Sequence, residues 1–152
     1  MMLQEILSQL EQEIPTSKVF GFTIQKLTDS EAQCFMPLEP NINHKGTMFG
    51  GSQYGGCALA CYALFLHNVR ATDCRTNDIV ISHGEMDYFK PAGEDVQIEA
   101  FWENFEDREK FLDHLSRKGK ARVRLGARVR GSKGLLLNNQ APTVRVLLTI
   151  II

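Results

Sequence analysis

The stretch Asn41-Ile42-Asn43-His44-Lys45-Gly46-Thr47-Met48-Phe49-Gly50-Gly51-Ser52-Gln53-Tyr54-Gly55-Gly56 places five glycines and a cluster of small polar residues directly ahead of a run with helical spacing. Glycine costs about 1 kcal/mol relative to alanine inside a helix and is most useful where a backbone or a ligand must come close. A helix that begins on such residues is built for contact at its start. Beyond it, Tyr54, Cys57, Ala58, Cys61, Tyr62, Phe65 and Val69 recur at steps of three and four, the stripe of an amphipathic helix. The other positions include Gly55, Gly56, Ala60 and Ala63, so apolar or small residues ring the first turns. A helix apolar all round is a buried one, and small residues let a sheet approach it closely. The reading is a wrapped helix over Tyr54–Val69.

Elements that can do the wrapping lie on both sides. Leu3, Ile6, Leu7, Leu10 and Ile14 predict an amphipathic first helix that Pro15 disfavours continuing. Extended segments are expected from Val19 to Ile24 and from Gln33 to Leu38, with Thr28, Asp29 and Ser30 turning between them. Asp78–Phe89 and Val96–Phe105 read as strands joined through Lys90-Pro91-Ala92-Gly93-Glu94-Asp95. Glu106–Lys118 sets Phe111, Leu112 and Leu115 among charges, a short surface helix. In the next strand Ala121, Val123, Leu125, Ala127 and Val129 face one way, while Arg122, Arg124, Gly126, Arg128 and Arg130 face water. A last strand, Thr143–Ile152, is apolar enough to be central or paired; as a free edge it would be an aggregation hazard, so a partner chain or helix is expected to cover it. The sum is an α+β layer arrangement, a curved antiparallel sheet around one long helix.

Composition narrows the function classes. The 152 residues fit one domain with a proper core. With 17 basic and 18 acidic residues the net charge is −1, so no overall field selects nucleic acid or an anionic membrane. No apolar run approaches the roughly 20 residues of a membrane span. The N-terminus carries three glutamates without a basic region or an unbroken apolar run, which predicts a cytoplasmic protein without a secretory signal. Cys34, Cys57, Cys61 and Cys74 show neither CxxC nor a zinc-like histidine spacing. They read as small buried hydrophobes, with no metal or other cofactor expected.

The segment Asn41–Ser52, followed by a helix and later by Asp87-Tyr88-Phe89-Lys90-Pro91-Ala92, closely resembles the hotdog-fold thioesterases, nearest the family named after the C-terminal domain of YiiD. The likeness runs from about Val19 to Arg130, carried mainly by the Asn-x-x-Gly-Thr-x-x-Gly-Gly spacing. It implies a sheet wrapped around one helix and a homodimer, or a tetramer built on it, whose sheets join edge to edge. It also implies acyl-CoA or acyl-carrier-protein substrates, with pantetheine entering at the dimer interface and the acyl chain beside the helix.

Thioester hydrolysis needs an activated water and donors aimed at the oxygen as charge develops. N–H groups in the first turn of a helix have no intrahelical acceptors and lie at the positive end of its dipole. Gly50 and Gly51 admit a carbonyl to those donors without a Cβ in the way; alternatively they serve tight packing against the sheet. By the resemblance, Asn43 helps orient water or carbonyl, and His44, Thr47, Ser52 and Tyr54 are substrate-binding positions. Apart from the resemblance, Asn43 and Ser52 also suit capping roles.

One departure matters most. Where the phenylacetate-type relatives have a histidine before the glycine pair and an aspartate on the helix, this chain has Phe49 and Ala58. No Asp or Glu occurs between Asn41 and Arg70, so any carboxylate must come from elsewhere, and Glu85 or Asp87 on the following strand, from this subunit or its partner, are the nearest candidates; His44 is an alternative base, or a contact to pantetheine or phosphate. Tyr88 reads as a packing residue. An acyl-thioester binding module that kept the tunnel and lost the base is the alternative function. Dehydration is disfavoured, because neither a dehydratase-like HFPGxPxxPG segment nor a hydratase-type Asp-to-His pair is present.

Overall fold

The computed structural model describes residues 2–74, 78–133 and 144–152, with the backbone alone for 144–151. Helix α1 spans Met2–Glu13, α2 is the single turn Thr16–Val19, and α3 is Gly50–Val69. Strands β1 (Thr23–Leu27) and β2 (Glu31–Met36) precede α3; β3 (Val80–Tyr88) and β4 (Val96–Trp102) follow it. Helix α4 (Asp107–Lys118), β5 (Arg122–Gly131) and β6 (Val144–Ile151) complete the order. The strands form one antiparallel sheet in the order β1-β2-β4-β5-β6-β3. Its inner face curls around α3, which packs against β1, β2, β4, β5 and β6 while α1 covers part of the opposite side. This is the hotdog arrangement.

Local chemistry accounts for most boundaries. Pro15 ends α1 and also stands as N-cap of α2, where its fixed φ suits a helix start. The chain therefore stays helical through Val19, and β1 begins at Thr23, later than expected. Gly21, at φ 67°, turns the chain between them, and a Cβ there would press within 2.7 Å of the Pro37 ring. In the hairpin, the Thr28 hydroxyl accepts hydrogen bonds from the backbone N–H of Ser30 and Glu31, and Lys26 pairs with Glu31 at 2.5 Å.

The arginine strand alternates as expected at Val123, Leu125, Ala127 and Val129, which are buried, and at Arg122 and Arg124, which are exposed; Gly126, expected to face water, is buried, and Arg128 and Arg130 are half-buried. Gly126 lies under the Phe101 ring, which Arg128 also covers at 4.7 Å from the centroid. Helix α4 buries Phe111 and Leu115 beneath its charges, Phe111 meeting Phe65 at 5.3 Å and Trp102 at 5.8 Å in tilted geometry.

Two expectations change. The last strand is found at Val144–Ile151, but neither a helix nor a partner is needed to cover it: it is interior, with β5 on one side and β3 on the other. Thr143 lies outside the described residues. And β3 and β4, consecutive in the chain, are not paired with each other, because β3 crosses to the far edge of the sheet. The free edges among the described strands are β1 and β3.

Candidate active site

The loop ahead of α3 is held by its own polar groups. Asn41, 3% exposed, donates its side-chain amide to the Phe20 and Pro37 carbonyls, both at 2.8 Å, and its backbone carbonyl accepts the Phe49 N–H at 2.7 Å. The Met48 N–H donates to the Ala92 carbonyl at 2.8 Å, so the loop is anchored at both ends. Between these anchors Asn43 closes a small turn. Its side-chain oxygen accepts from the Lys45 N–H (2.9 Å) and the Thr47 N–H (3.1 Å), and its amide donates to the Thr47 hydroxyl at 2.9 Å. Gly46 supplies the left-handed residue of the turn, φ 77°.

Asn43 and Thr47 are thus brought together, as parts of the loop. His44 and Lys45 are exposed at its tip.

Helix α3 starts at Gly50, one turn earlier than its apolar stripe suggests. Its N-cap is Phe49, whose side chain makes no capping bond. The capping role considered for Ser52 is therefore not the observed one: Ser52 is the third residue of the helix and is buried. The first bond into the helix runs from the Gln53 N–H to the Phe49 carbonyl at 3.1 Å. That leaves the N–H groups of Gly50, Gly51 and Ser52 as the donors an α-helix does not satisfy internally, and the first turn carries no acidic side chain.

The glycines of this helix differ in their surroundings. A Cβ on Gly56 would lie 2.6 Å from both Ile98 Cδ1 and Met36 Sδ, so Gly56 is where the sheet presses on the helix. A Cβ on Gly55 would meet the Phe20 ring at 2.5 Å. Gly51 is exposed, and the nearest side chain over it is the ring of Phe49, itself 58% exposed. Over Gly50 lies Tyr88: its ring would stand 3.1–3.3 Å from an added Cβ, and its hydroxyl donates to the Gly50 carbonyl at 2.7 Å.

From exposed Gly51 a half-buried stripe continues through Gly55, Ala58 and Tyr62, residues that share one face of α3. It opens into an apolar cavity of about 750 Å³ lined by Phe20, Gly55, Ala58, Tyr62, Val80 and Ile81, among others. Its far end is marked by the Tyr62 hydroxyl, which donates to the Glu13 carboxylate at 3.2 Å; burial first, and Glu13 second, push the Tyr62 phenol up to about 12. Another cleft, about 500 Å³ between α4 and β5, is lined by Glu103, Lys110, His114, Arg122 and Arg124 and lies toward the other end of α3.

The sequence candidates divide accordingly. Gly50, Gly51, Ser52 and Tyr54 share the first turns of α3, with Asn43 and Thr47 in the loop before it. Glu85 does not join them within one protomer. Met86 is the half-buried residue of β3 and packs on the core, and Tyr88 reaches Gly50, so alternation turns Glu85 and Asp87 to the outer face. There Glu85 lies 3.1 Å from His83.

One residue at the helix start was read only as packing and another escaped the sequence reading. Tyr88 touches the helix start only because β3 lies where it does in the sheet. Gln53, 3% exposed, donates to the Met48 carbonyl at 3.2 Å while its side-chain oxygen has no partner among the described residues; a polar side chain in a mostly apolar helix was its signal. The three buried thiols are poor nucleophiles: burial raises the pKa of Cys34 and Cys57 and pushes Cys61 up to about 12.

Residues 3–139 match the family model described as "Putative thioesterase (yiiD_Cterm)". The chain belongs to this thioesterase family. Solved structures agree on the fold. A Shewanella oneidensis protein described as a putative thioesterase is 20% identical, with a TM-score of 0.78 over 99% of this chain and 96% of that one. A Chlorobaculum tepidum protein of unknown function is 27% identical, TM-score 0.82, over 97% and 91%. A Pseudomonas aeruginosa protein described as a probable thioesterase is 21% identical, TM-score 0.75, over 97% and 93%. No curated protein matches the chain.

Proposed function

We propose that this member of the family hydrolyses acyl thioesters of coenzyme A or of acyl carrier protein at the start of α3. The observation that carries this is the uncapped first turn, with Gly50 and Gly51 N–H groups free of intrahelical acceptors and the apolar cavity beginning one turn further along the same face. The thioester oxygen accepts from these N–H groups and the acyl chain follows Gly55 and Ala58 toward Tyr62. Water attacks the carbonyl carbon, the oxyanion gathers on the backbone donors, and its collapse expels the thiolate. Water's proton leaves to a base, and the products are a carboxylate and a thiol. Asn43 and Thr47 shape the approach, one amide N–H of Asn43 being left for substrate; His44 at the exposed tip is available to the pantetheine arm or its phosphates.

Helix α3 supplies no carboxylate base. Glu85 is the nominated group. As it sits on the outer face of β3, it serves only if the protomers' assembly brings it to a site. Assembly as a homodimer through β3 is supported by the exposure of Val80 (57%), Tyr88 (52%), Phe89 (58%) and Phe49 (58%) along and beside this edge.

A second reading, an acyl-thioester binding module, is favoured by the same missing helix carboxylate and by Phe49 before the glycine pair. One experiment separates them: hydrolysis of an acyl-CoA panel, acetyl to palmitoyl, followed with a thiol-reactive dye for the wild type, Asn43→Ala and Glu85→Ala. Turnover lost in Asn43→Ala supports the enzyme, and loss in Glu85→Ala locates the base. Tight binding of acyl-CoA and acyl carrier protein without turnover of either would leave the binding module.

A further inference from the structure

Tyr88 is the residue whose placement the proposed reaction leaves unused. Its hydroxyl donates to the Gly50 carbonyl oxygen at 2.7 Å, and its ring covers the Gly50 Cα. That carbonyl belongs to the same peptide group as the Gly51 N–H. A hydrogen bond accepted by the oxygen of an amide draws electron density toward it and leaves the N–H of that amide a stronger donor; chained bonds of this kind strengthen one another by about 10–30%. On the thioesterase reading, the Gly51 N–H is an oxyanion donor. We infer that Tyr88 is a positioning residue for thioester hydrolysis, acting through the Gly50–Gly51 peptide to orient and polarise the donor that receives the oxyanion.

Three features of the site fit this role. The phenol is a donor at neutral pH, as a tyrosine with the ordinary pKa near 10 already is, and partial burial raises that value further. Phe49 brings no side-chain cap to the first turn, so the helix start depends on other contacts for its orientation. Tyr88 ends β3 and is paired with Val144 of β6, so the phenol is held by the sheet and does not wander with a loop. Gly50 completes the arrangement, since an added Cβ would crowd the ring at 3.1–3.3 Å.

The test keeps the ring and alters only the donor: Tyr88→Phe, together with mono- and difluorotyrosine at the same position, whose hydroxyls are progressively stronger acids. Polarisation that matters mainly in the transition state lowers kcat in Tyr88→Phe, by about tenfold for the loss of one such bond, while KM stays near the wild-type value. Fluorination should raise kcat in step with acidity while the hydroxyl stays protonated. Independently of activity, the Gly51 amide resonance in nitrogen–proton correlation spectra should shift in Tyr88→Phe and shift the opposite way on fluorination. An unmoved Gly51 resonance, or a rise in KM at constant kcat, overturns the inference and leaves the thioesterase reading standing. A wild type that hydrolyses no CoA or carrier-protein thioester removes that reading, and the catalytic role of Tyr88 with it, whatever Gly51 does.

Discussion

Four glycines on one helix do three different jobs, and their substitutions should separate them. Gly56 faces Ile98 and Met36, both buried in the core. Gly56→Ala overpacks that contact and should cost about 1–3 kcal/mol, lowering Tm by roughly 3–10 °C, read by thermal denaturation. Gly51→Ala has only the exposed Phe49 ring to displace. Its Tm should stay close to the wild type, yet the displaced ring crosses the approach to the first-turn donors, and turnover should fall by about tenfold or more. Unfolding of Gly51→Ala would make this glycine a packing residue as well. Gly50 lies under Tyr88 and Gly55 under Phe20, so each couples the helix to another element. A run of glycines in the sequence announces close approach at the helix start, but which atom approaches which glycine follows from residues tens of positions away.

At the scale of elements, the ends of α3 are secured by different means. Its C-terminal end is tied down by Asn68, fully buried, which donates to the Asp29 and Leu64 carbonyls at 3.1 and 2.8 Å and accepts from Arg108 at 2.5 Å. The Asp29 carbonyl also accepts the Trp102 indole N–H at 2.9 Å, joining the β1–β2 turn, α3, β4 and α4 in one network. Asn68→Ala should therefore cost about 3 kcal/mol, from partners left unsatisfied in the interior, measured by urea unfolding. The contact between α1 and α3 carries a pH signature. The Tyr62 phenol is raised by burial and by Glu13, so folding favours its protonated form. Its contribution is complete below the ordinary tyrosine value near 10 and is lost as pH rises toward its folded value of about 12. The Tm difference between wild type and Tyr62→Phe should accordingly shrink over that interval. A difference constant through it would show that the Tyr62–Glu13 contact does not distinguish the two forms.

For the whole molecule, the telling feature is an edge strand that the fold leaves open. Among the described strands β3 pairs only with β6, and most of its residues are exposed. Two copies meeting along it would form an isologous interface and bring one protomer's Tyr88 end toward the other's Val80 end. Sedimentation should show a dimer of the 17.2 kDa chain. Lysines at both Val80 and Phe89 should convert it to monomer, since charge on an edge blocks pairing. If the doubly substituted chain sediments as the wild type does, the partner sits elsewhere.

The sequence by itself determined the wrapped helix, the arginine strand with its wet side and the absence of a carboxylate on α3, because each is written in local periodicity and composition. It also announced the Asn43–Thr47 loop and the glycine pair as a place of contact. Tertiary structure alone decided that β3 leaves its neighbour β4 for the far edge, that β6 lies inside the sheet, that Glu85 faces away from the helix start and that Tyr88 bonds to Gly50. Strand order is set by which edges pair across long stretches of chain, and many pairings satisfy the same alternation of apolar and polar residues. The helix is legible from its own residues; what meets its first turn depends on the strand order, which no single segment encodes.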